Sequence, residues 1–444
     1  MKQSLRRLLL CGSLVCALSS GSVSPLLQPV AVAQSTLNPK ADPQAVAALS
    51  YVLLDAETGR VLASHNMHQR RAPASTTKTM TALLAVEKGD LNAQYTIGPN
   101  PPQVGESSIA LQKGEQLTLF ELVEAAMIRS ANDSCVAIAE AVAGTEGEFV
   151  KMMNARAKQL GAKNTHFVNP HGLNDPEHYT TAYDLALIAR EAMTHDIFRQ
   201  IVKTKETTIR GNAKVGAVRQ LHNRNRLLFR WDEADGIKTG YTRQAGRCLI
   251  ASATRIDPKT NRPWQLIGVV LNSPDSWNDS ANLLIRHGFE KFKPTLIARG
   301  GQELATVPIE GGASDAIAEA EREIRLPLRP WEQSALTTHV HPLERTAPIK
   351  EKQPVAWLEW RLNGHKIASV PLVAKEAVPE SFVAKYTPWL GTLMPSQPIG
   401  RWSVYALGLV GVLLLTGWKV KDNNERKRKR QARQRARRQQ QYDR

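Results

Sequence analysis

The alternation of apolar and polar positions divides the first half of the chain into strands and helices. Residues 48–56 and 60–64 flank the turn Glu57-Thr58-Gly59 and predict two paired strands. Helical periodicity follows at 76–88, 118–127, 133–142, 146–160 and 181–194. Strand patterns return at 247–253 and 264–271. Strands therefore open and close this segment, which predicts a sheet assembled from both ends and covered by helices, an α/β (α+β) sandwich.

The pattern changes after about residue 293. Short apolar stretches separated by Pro and Gly predict a small β-rich domain over residues 296–384; they lie at 304–307, 324–328, 356–360 and 367–373. Residues 314–323 also fit a single helix, so both assignments stay open for that segment.

Both ends of the chain carry targeting patterns. Residues 1–33 have a basic start, an apolar run and small residues before Gln34, as in a cleaved signal peptide. Residues 402–418 are uncharged and have Trp at both edges, which predicts a transmembrane helix. A Pro- and Gly-rich stretch at 385–401 is expected to be a stalk to this helix.

The net charge of +17 is concentrated in the tail at 419–444, which has twelve basic and three acidic residues, a net charge of +9. A basic tail after an apolar span is retained in the cytoplasm. We therefore expect a single-pass protein of the cell membrane with its main body on the extracytoplasmic side. The tail has one aromatic residue and no nucleic-acid-binding fold, so anionic lipid is the expected partner and nucleic acid is not.

Two cysteines, Cys135 and Cys248, remain after removal of the predicted signal peptide. Each lies in an apolar run, which favours buried free thiols over a disulfide, although the pairing is left open.

Ser75 and Lys78 have the spacing of a nucleophile and its base at the start of a predicted helix. Both side chains would share one helix face, and the helix N-terminus favours negative charge developing at the serine. Lys78 can accept the serine proton only if burial or a second cation lowers its pKa. The alternative is a helix cap followed by a solvated lysine.

Ser130 and Asn132 lie at a junction between two predicted helices, where function is commonly displayed. Ser130 suits proton transfer between Lys78 and a departing amine, and Asn132 suits a hydrogen bond to a substrate backbone. Both residue types also cap helices, so a cap for the helix starting at Asp133 is an alternative.

Lys238, Thr239 and Gly240 precede the strand pattern at 247–253. On an edge strand, Gly240 would let a ligand backbone approach closely, and Lys238 with Thr239 would meet a carboxylate. Lys238 near Lys78 would also be the second cation that lowers the pKa of Lys78. The alternative is a simple turn.

These motifs and their surroundings resemble the low-molecular-mass penicillin-binding proteins of the serine-type D-alanyl-D-alanine carboxypeptidase family, peptidase S11. The resemblance covers about residues 40–295. It rests on PASTTKTMTALLA at 73–85, RSANDSCVAIAE at 129–140, NPHGLND at 169–175, YTTAYDLALIAR at 179–190, LHNRNRLLF at 221–229 and DGIKTGYTRQAGRCL at 235–249. It implies an antiparallel sheet covered by helices, of the penicillin-binding/β-lactamase type, over residues 40–295.

The resemblance also implies roles for the motif residues. Ser75 would be the acylated nucleophile, Lys78 its base and Ser130 a proton-transfer group. The substrate-binding residues would be Asn132, Lys238, Thr239, Gly240 and Tyr241. Backbone N–H groups of Ser75 and Tyr241 would form the oxyanion hole. This chemistry needs neither a metal nor a cofactor, and His171 in NPHGL is interpreted as part of a turn.

The implied reaction is removal of the terminal D-Ala from a cell-wall stem peptide through an acyl-enzyme, and β-lactams are expected to acylate the same serine. A class A β-lactamase would carry Glu-x-x-x-Asn between the second and third motifs, and no such pattern occurs there. A wall-binding protein without catalysis is disfavoured because binding alone does not need Lys78. An endopeptidase acting on D-Ala crosslinks uses the same chemistry and stays open.

Overall fold

The structure is a computed structural model that describes residues 46–381 other than 259, together with residue 384. The predicted signal peptide at 1–33, the stalk at 385–401, the apolar span at 402–418 and the basic tail at 419–444 lie outside these residues.

The expected membrane localisation is corrected. Within the described part of the chain, no helix is long and apolar enough to cross a membrane. The single-pass arrangement with an external catalytic domain and a cytoplasmic tail rested on the apolar span at 402–418 and the basic tail at 419–444, and that prediction is withdrawn.

Nine strands lie among the described residues up to 275: β1 (Ser50–Asp55), β2 (Val61–His65), β3 (Gln94–Thr96), β4 (Gln116–Thr118), β5 (Glu206–Asn212), β6 (Gly216–His222), β7 (Ala234–Thr242), β8 (Gly246–Ile256) and β9 (Pro263–Ser273). Five of them form one antiparallel sheet in the order β2-β1-β9-β8-β7. Ser50 of β1 pairs with Leu271 of β9, so the sheet is assembled from both ends of the segment, as predicted.

In the part of the chain that the structure describes, eight α-helices accompany these strands: α1 (Lys78–Lys88), α2 (Leu119–Glu124), α3 (Asn132–Ala143), α4 (Glu146–Gln159), α5 (Ala182–Ala192), α6 (Asp196–Lys203), α7 (Leu227–Arg230) and α8 (Ser276–Leu284). Short 3₁₀ segments lie at Ala74–Thr77, Pro101–Gln103 and Gln333–Ala335, and π-helical turns at Ala125–Arg129 and Ile285–Phe289.

The sheet separates two apolar cores because successive strand residues face opposite sides. Val52 and Leu54 of β1 pack into the larger core with α1, α3 and α5, whereas Leu53 between them packs into a second core with α7 and α8. The result is a sheet with helices on both faces, and β7 is one of its two edge strands.

The second part of the chain is β-rich. Its strands are β10 (Lys293–Ala298), β11 (Glu303–Val307), β12 (Ala316–Glu319), β13 (Ile324–Leu328), β14 (Leu336–Pro342), β15 (Pro354–Leu362) and β16 (His365–Ala374). They form a five-stranded sheet, β11-β12-β16-β15-β14, and the pair β10-β13 around the buried Trp360. The helical alternative for residues 314–323 is wrong, because Ala316 and Ala318 are buried and Ile317 between them is exposed, the alternation of a strand.

A buried ion pair joins the two parts. The Arg60 guanidinium, on the turn before β2, donates to Glu332 Oε1 at 2.8 Å and to the carbonyl of Pro327. Arg60 and Glu332 are 3% and 6% exposed.

Candidate active site

Ser75 and Lys78 lie at the point where a 3₁₀ turn becomes α1. Lys78 Nζ is 2.9 Å from Ser75 Oγ, and Lys78 is completely buried. The alternative of a helix cap followed by a solvated lysine is therefore wrong. Ala74, just before the serine, has a φ of 49°, a left-handed conformation that is uncommon for alanine.

The Lys78 ammonium has two further acceptors, Asn132 Oδ1 at 2.7 Å and the carbonyl of His171 at 2.6 Å. Burial lowers the pKa of Lys78, and the negative groups around it oppose that shift only in part. Burial rather than a second cation therefore shifts this lysine toward the neutral form that a base requires.

Ser130 follows the π-helical turn Ala125–Arg129 and has a left-handed φ of 67°. Asn132 is the first residue of α3, whose N-cap, Ala131, has no side-chain capping bond. The alternative in which these residues serve as helix caps is therefore wrong. Instead, the Asn132 side chain connects Lys78 to the carbonyl of Gly105, to which its Nδ2 donates at 3.0 Å.

Lys238, Thr239, Gly240 and Tyr241 lie on the edge strand β7, so the alternative of a simple turn is wrong. Lys238 Nζ donates to Ser130 Oγ at 3.1 Å and to the carbonyl of Thr239 at 3.0 Å. Burial, and then the charge of Lys78, lower the pKa of Lys238 to about 7.

Gly240 was expected to let a ligand backbone approach closely, but in the structure it lets the serine turn approach β7. A Cβ at this position would lie 3.1 Å from the backbone nitrogens of Ser75 and Thr76. The close approach at Gly240 is therefore to the turn that carries the serine, and it brings β7 next to the Ser75 N–H.

An open cleft of about 940 Å³ lies above these groups. Ser75, Ser130, Asn132 and residues 239–241 all line it, whereas the ammonium groups of Lys78 and Lys238 are buried beneath. The structure thus brings all eight predicted site residues together at one cleft.

The NPHGL segment has a role at the site that its sequence did not indicate. Asn169 Oδ1 accepts from the N–H groups of His171 and Gly172, and Gly172 has a φ of 87°. A Cβ on Gly172 would lie 1.9 Å from the carbonyl oxygen of Ala74. This turn packs against the serine turn and directs the carbonyl of His171 at Lys78, whereas burial holds the pKa of the His171 imidazole down at about 3.

A second contribution comes from the loop at 105–111. The buried Asp133 carboxylate accepts from the N–H groups of Ile109 and Leu111 and from Ser108 Oγ. Asn132 N–H donates to the carbonyl of Ser107 at 2.7 Å. No periodic pattern marks this loop, and the only hint in the sequence is the Asp that follows Ser-Ala-Asn.

Comparison with known proteins identifies the family. The chain matches the family described as D-alanyl-D-alanine carboxypeptidase over residues 36–275, and penicillin-binding protein 5, C-terminal domain, over residues 292–380. D-alanyl-D-alanine carboxypeptidase DacF of Bacillus subtilis is 33% identical over 339 residues, which span 74% of this chain and 85% of that protein. DacA of Escherichia coli K12 is 35% identical over 352 residues, 74% of this chain and 83% of that protein.

A solved structure agrees with these sequence matches. Penicillin-binding protein 5 from Haemophilus influenzae superposes with a TM-score of 0.60 at 30% identity, covering 77% of this chain and 100% of that one. The chain belongs to the D-alanyl-D-alanine carboxypeptidase family, peptidase S11.

Cys135 and Cys248, the two cysteines among the described residues, are free and buried, as their apolar surroundings in the sequence predicted. Cys135 lies one turn into α3, and Cys248 pairs with Gly240 across β7 and β8. Burial raises the pKa of each thiol to about 11, which disfavours the reactive thiolate.

One group in the described part of the chain has the spacing of metal ligands, namely Glu87, Glu191 and His195. The Arg156 guanidinium contacts both carboxylates, at 2.5 and 2.6 Å. The Arg156 guanidinium thus occupies the position of the positive charge that a metal ion would supply to these carboxylates.

Proposed function

We propose that the protein is a serine-type D-alanyl-D-alanine carboxypeptidase that removes the terminal D-Ala of a peptidoglycan stem pentapeptide. The observation that carries this proposal is the buried Lys78 amine 2.9 Å from Ser75 Oγ at an open cleft. The family match and the curated relatives support the same reaction class.

Ser75 is the nucleophile and Lys78 its base. A neutral amine has two N–H donors and one lone pair. Asn132 Oδ1 and the carbonyl of His171 are fixed acceptors for those two donors, which leaves the lone pair facing Ser75 Oγ. Lys78 takes the hydroxyl proton as Oγ attacks the carbonyl of the penultimate D-Ala.

The proton then has to reach the leaving amine. Ser130 Oγ accepts a hydrogen bond from Lys238 Nζ, and Ser130 lines the cleft. Both observations support a role for Ser130 in passing the proton to the departing D-Ala. The C–N bond breaks, the amine leaves protonated, and an ester on Ser75 remains. Water hydrolyses this ester and restores the serine hydroxyl.

The substrate pairs with the open edge of β7. Lys238 and Thr239 meet the terminal carboxylate, Asn132 and Gly240 border the peptide, and backbone N–H groups of Ser75 and Tyr241 stabilise the oxyanion. The close approach of Gly240 to the Ser75 nitrogen supports this convergence of donors. β-Lactams acylate Ser75 in the same cleft.

We assign the reaction to residues 40–295 and treat residues 296–384 as a separate β-rich domain, a division supported by the two family matches. The signal peptide at 1–33 stays a prediction.

The test is release of D-Ala from diacetyl-L-Lys-D-Ala-D-Ala, combined with labelling by fluorescent penicillin. We expect the wild type to release D-Ala and to bind penicillin stoichiometrically, and Ser75→Ala to do neither. Ser134→Ala is the matched control, since Ser134 is buried in α3 away from the cleft lining. Undiminished D-Ala release by Ser75→Ala would refute the assignment.

Assays on the same wild-type protein distinguish the proposed carboxypeptidase from two competing activities. Faster cleavage of a crosslinked dimer into its two peptides than release of D-Ala from the pentapeptide would favour the endopeptidase. Rapid turnover of penicillin, instead of a stable adduct, would favour a β-lactamase.

A further inference from the structure

The cleft wall near the C-terminal end of β7 carries aromatic and cationic side chains that the proposed reaction does not use. It consists of Tyr241, Trp277, Arg226 and Arg247, all of which line the cleft. Tyr241 is 64% exposed, and both arginines are exposed. We call these four residues the outer wall.

The charge of the cleft lining is one-sided. Among the described residues, four arginines line it, at 129, 224, 226 and 247, against the single carboxylate of Glu106. None of the four forms an ion pair with a carboxylate in the described part of the chain. Elsewhere Arg219 and Arg255 each have a carboxylate partner, at 2.6 and 2.8 Å. The cleft therefore presents cations whose charge is not neutralised.

The two outer-wall arginines are positioned by contacts that leave their charge available. Arg247 Nη1 donates to the carbonyl of Pro274 at 3.0 Å. The Arg226 guanidinium lies 4.8 Å from the centre of the Trp277 ring. A guanidinium held in this way keeps free N–H donors for a carboxylate and loses less side-chain entropy on binding.

The strand register shows which part of a substrate reaches this wall. β7 runs from Lys238, the proposed site of the terminal carboxylate, through Gly240 to Tyr241, and Tyr241 pairs with Arg247 of β8. A peptide antiparallel to β7 with its C-terminus at Lys238 runs past Tyr241 toward its own N-terminus. The residues before the scissile bond therefore pass the outer wall.

We infer that Arg226 and Arg247 form a subsite for a carboxylate of the substrate peptide on the N-terminal side of the two D-alanines. The inference rests on the proposed carboxypeptidase function and deepens it: the favoured substrate is an acidic peptide, selected by charge at a distance from the reacting bond. Arg226 and Arg247 are specificity residues and take no part in bond making.

The test compares two peptides that differ in one group. One is acetyl-γ-D-Glu-L-Lys(acetyl)-D-Ala-D-Ala with its free α-carboxylate, and the other is the same peptide with that carboxylate amidated. We expect the wild-type protein to prefer the acid by roughly 3- to 10-fold in kcat/KM, mainly through KM, because exposed charge pairs contribute modestly. The preference should shrink at high salt because both arginines are exposed.

The double variant Arg226→Gln/Arg247→Gln should bring the ratio close to one. Arg243→Gln is the matched control, since Arg243 is an exposed arginine beside β7 that does not line the cleft, and it should keep the wild-type ratio. A wild-type ratio of one, or a ratio that survives in the double variant, would overturn the subsite. Failure to release D-Ala from both peptides would instead overturn the proposed function on which the subsite rests.

Discussion

The buried cations at the cleft of the peptidase part differ from the buried cation at its junction with the β-rich part. Those at the cleft have no carboxylate partner among the described residues, whereas the one at the junction has one. Lys78 and Lys238 are buried without a carboxylate partner in the described part of the chain, and burial lowers the pKa of both. Arg60 is also buried and burial lowers its pKa too, but Glu332 pairs with it at 2.8 Å and opposes that shift.

The presence or absence of a carboxylate partner decides what a buried cation can do. A paired buried cation stays charged and holds two segments together, whereas an unpaired buried lysine loses affinity for its proton. Pairing has a similar effect on a carboxylate of the second sheet, where hydrogen bonds from Arg361 and Lys366 lower the pKa of Glu359 to about 2. Substitutions on each side of this comparison should therefore fail in different ways.

The largest expected effect is on catalysis. Lys78→Met should slow acylation of Ser75 by penicillin by about 10²–10⁴-fold, because the proposed base is removed. The free energy of unfolding should change little, because removing a buried lysine that has no carboxylate partner offsets the loss of its hydrogen bonds to Asn132 Oδ1 and the carbonyl of His171. Acylation is followed with fluorescent penicillin, and stability by urea unfolding. A variant that acylates normally would contradict the role of Lys78.

Arg60→Met should have the opposite effect to Lys78→Met: it should lower stability and leave the acylation rate unchanged. It leaves Glu332 buried and unpaired, so we expect a loss of about 3–5 kcal/mol of stability. The acylation rate of the folded variant should be unchanged, because Arg60 does not line the cleft. Urea unfolding measures the first effect, and penicillin labelling at low temperature the second. Arg60→Met/Glu332→Leu is the control and should recover much of the stability.

A smaller effect concerns pH. The folded pKa of Lys238 is lowered to about 7 from 10.5. Between these values the unfolded chain binds a proton that the folded chain does not, so the free energy of unfolding rises with pH, by at most about 1.4 kcal/mol per pH unit for this group. This stability is complete above the unfolded pKa and is lost as the pH falls toward 7.

Urea unfolding at about pH 7 and about pH 8.5 should therefore show a smaller rise for Lys238→Met than for the wild type. Identical slopes in the two proteins would mean that Lys238 keeps an ordinary pKa.

The smallest change tests the approach of β7 to the serine turn. Gly240→Ala places a Cβ 3.1 Å from the backbone nitrogens of Ser75 and Thr76. A shift of a few tenths of an ångström there should slow acylation by roughly tenfold, because reacting groups tolerate little displacement. Gly147→Ala in α4 is the control, since its Cβ meets nothing within 4 Å. Equal acylation rates in the two variants would show that the approach is not critical.

The sequence predicted the fold best where apolar periodicity is strong. The core strands and α1, α3, α4 and α5 occur close to their predicted bounds. The hairpin β5–β6 was not predicted, because Ile209 and Leu221 are buried on largely exposed strands that show no clear alternation. Helices α6 and α8 were also missed, although both contain buried apolar residues.

At the site, the motifs predicted which side chains meet but not how they are held. Burial of Lys78 depends on the carbonyl of His171 and on the loop that contains Gly105, both distant in sequence. Every residue has a backbone carbonyl, so the sequence does not indicate which carbonyl will contact Lys78 or Asn132. These contacts can be found only from the three-dimensional structure.

The open edge of β7 has a consequence for solubility. An unpaired strand edge is a template for pairing with other chains, and natural proteins protect such edges with inward-pointing charged side chains. Lys238 lies on that edge with its ammonium buried against Ser130. We expect Lys238, the residue proposed to bind the substrate carboxylate, also to protect this edge against pairing with other chains, so its loss should favour self-association as well as weaken substrate binding.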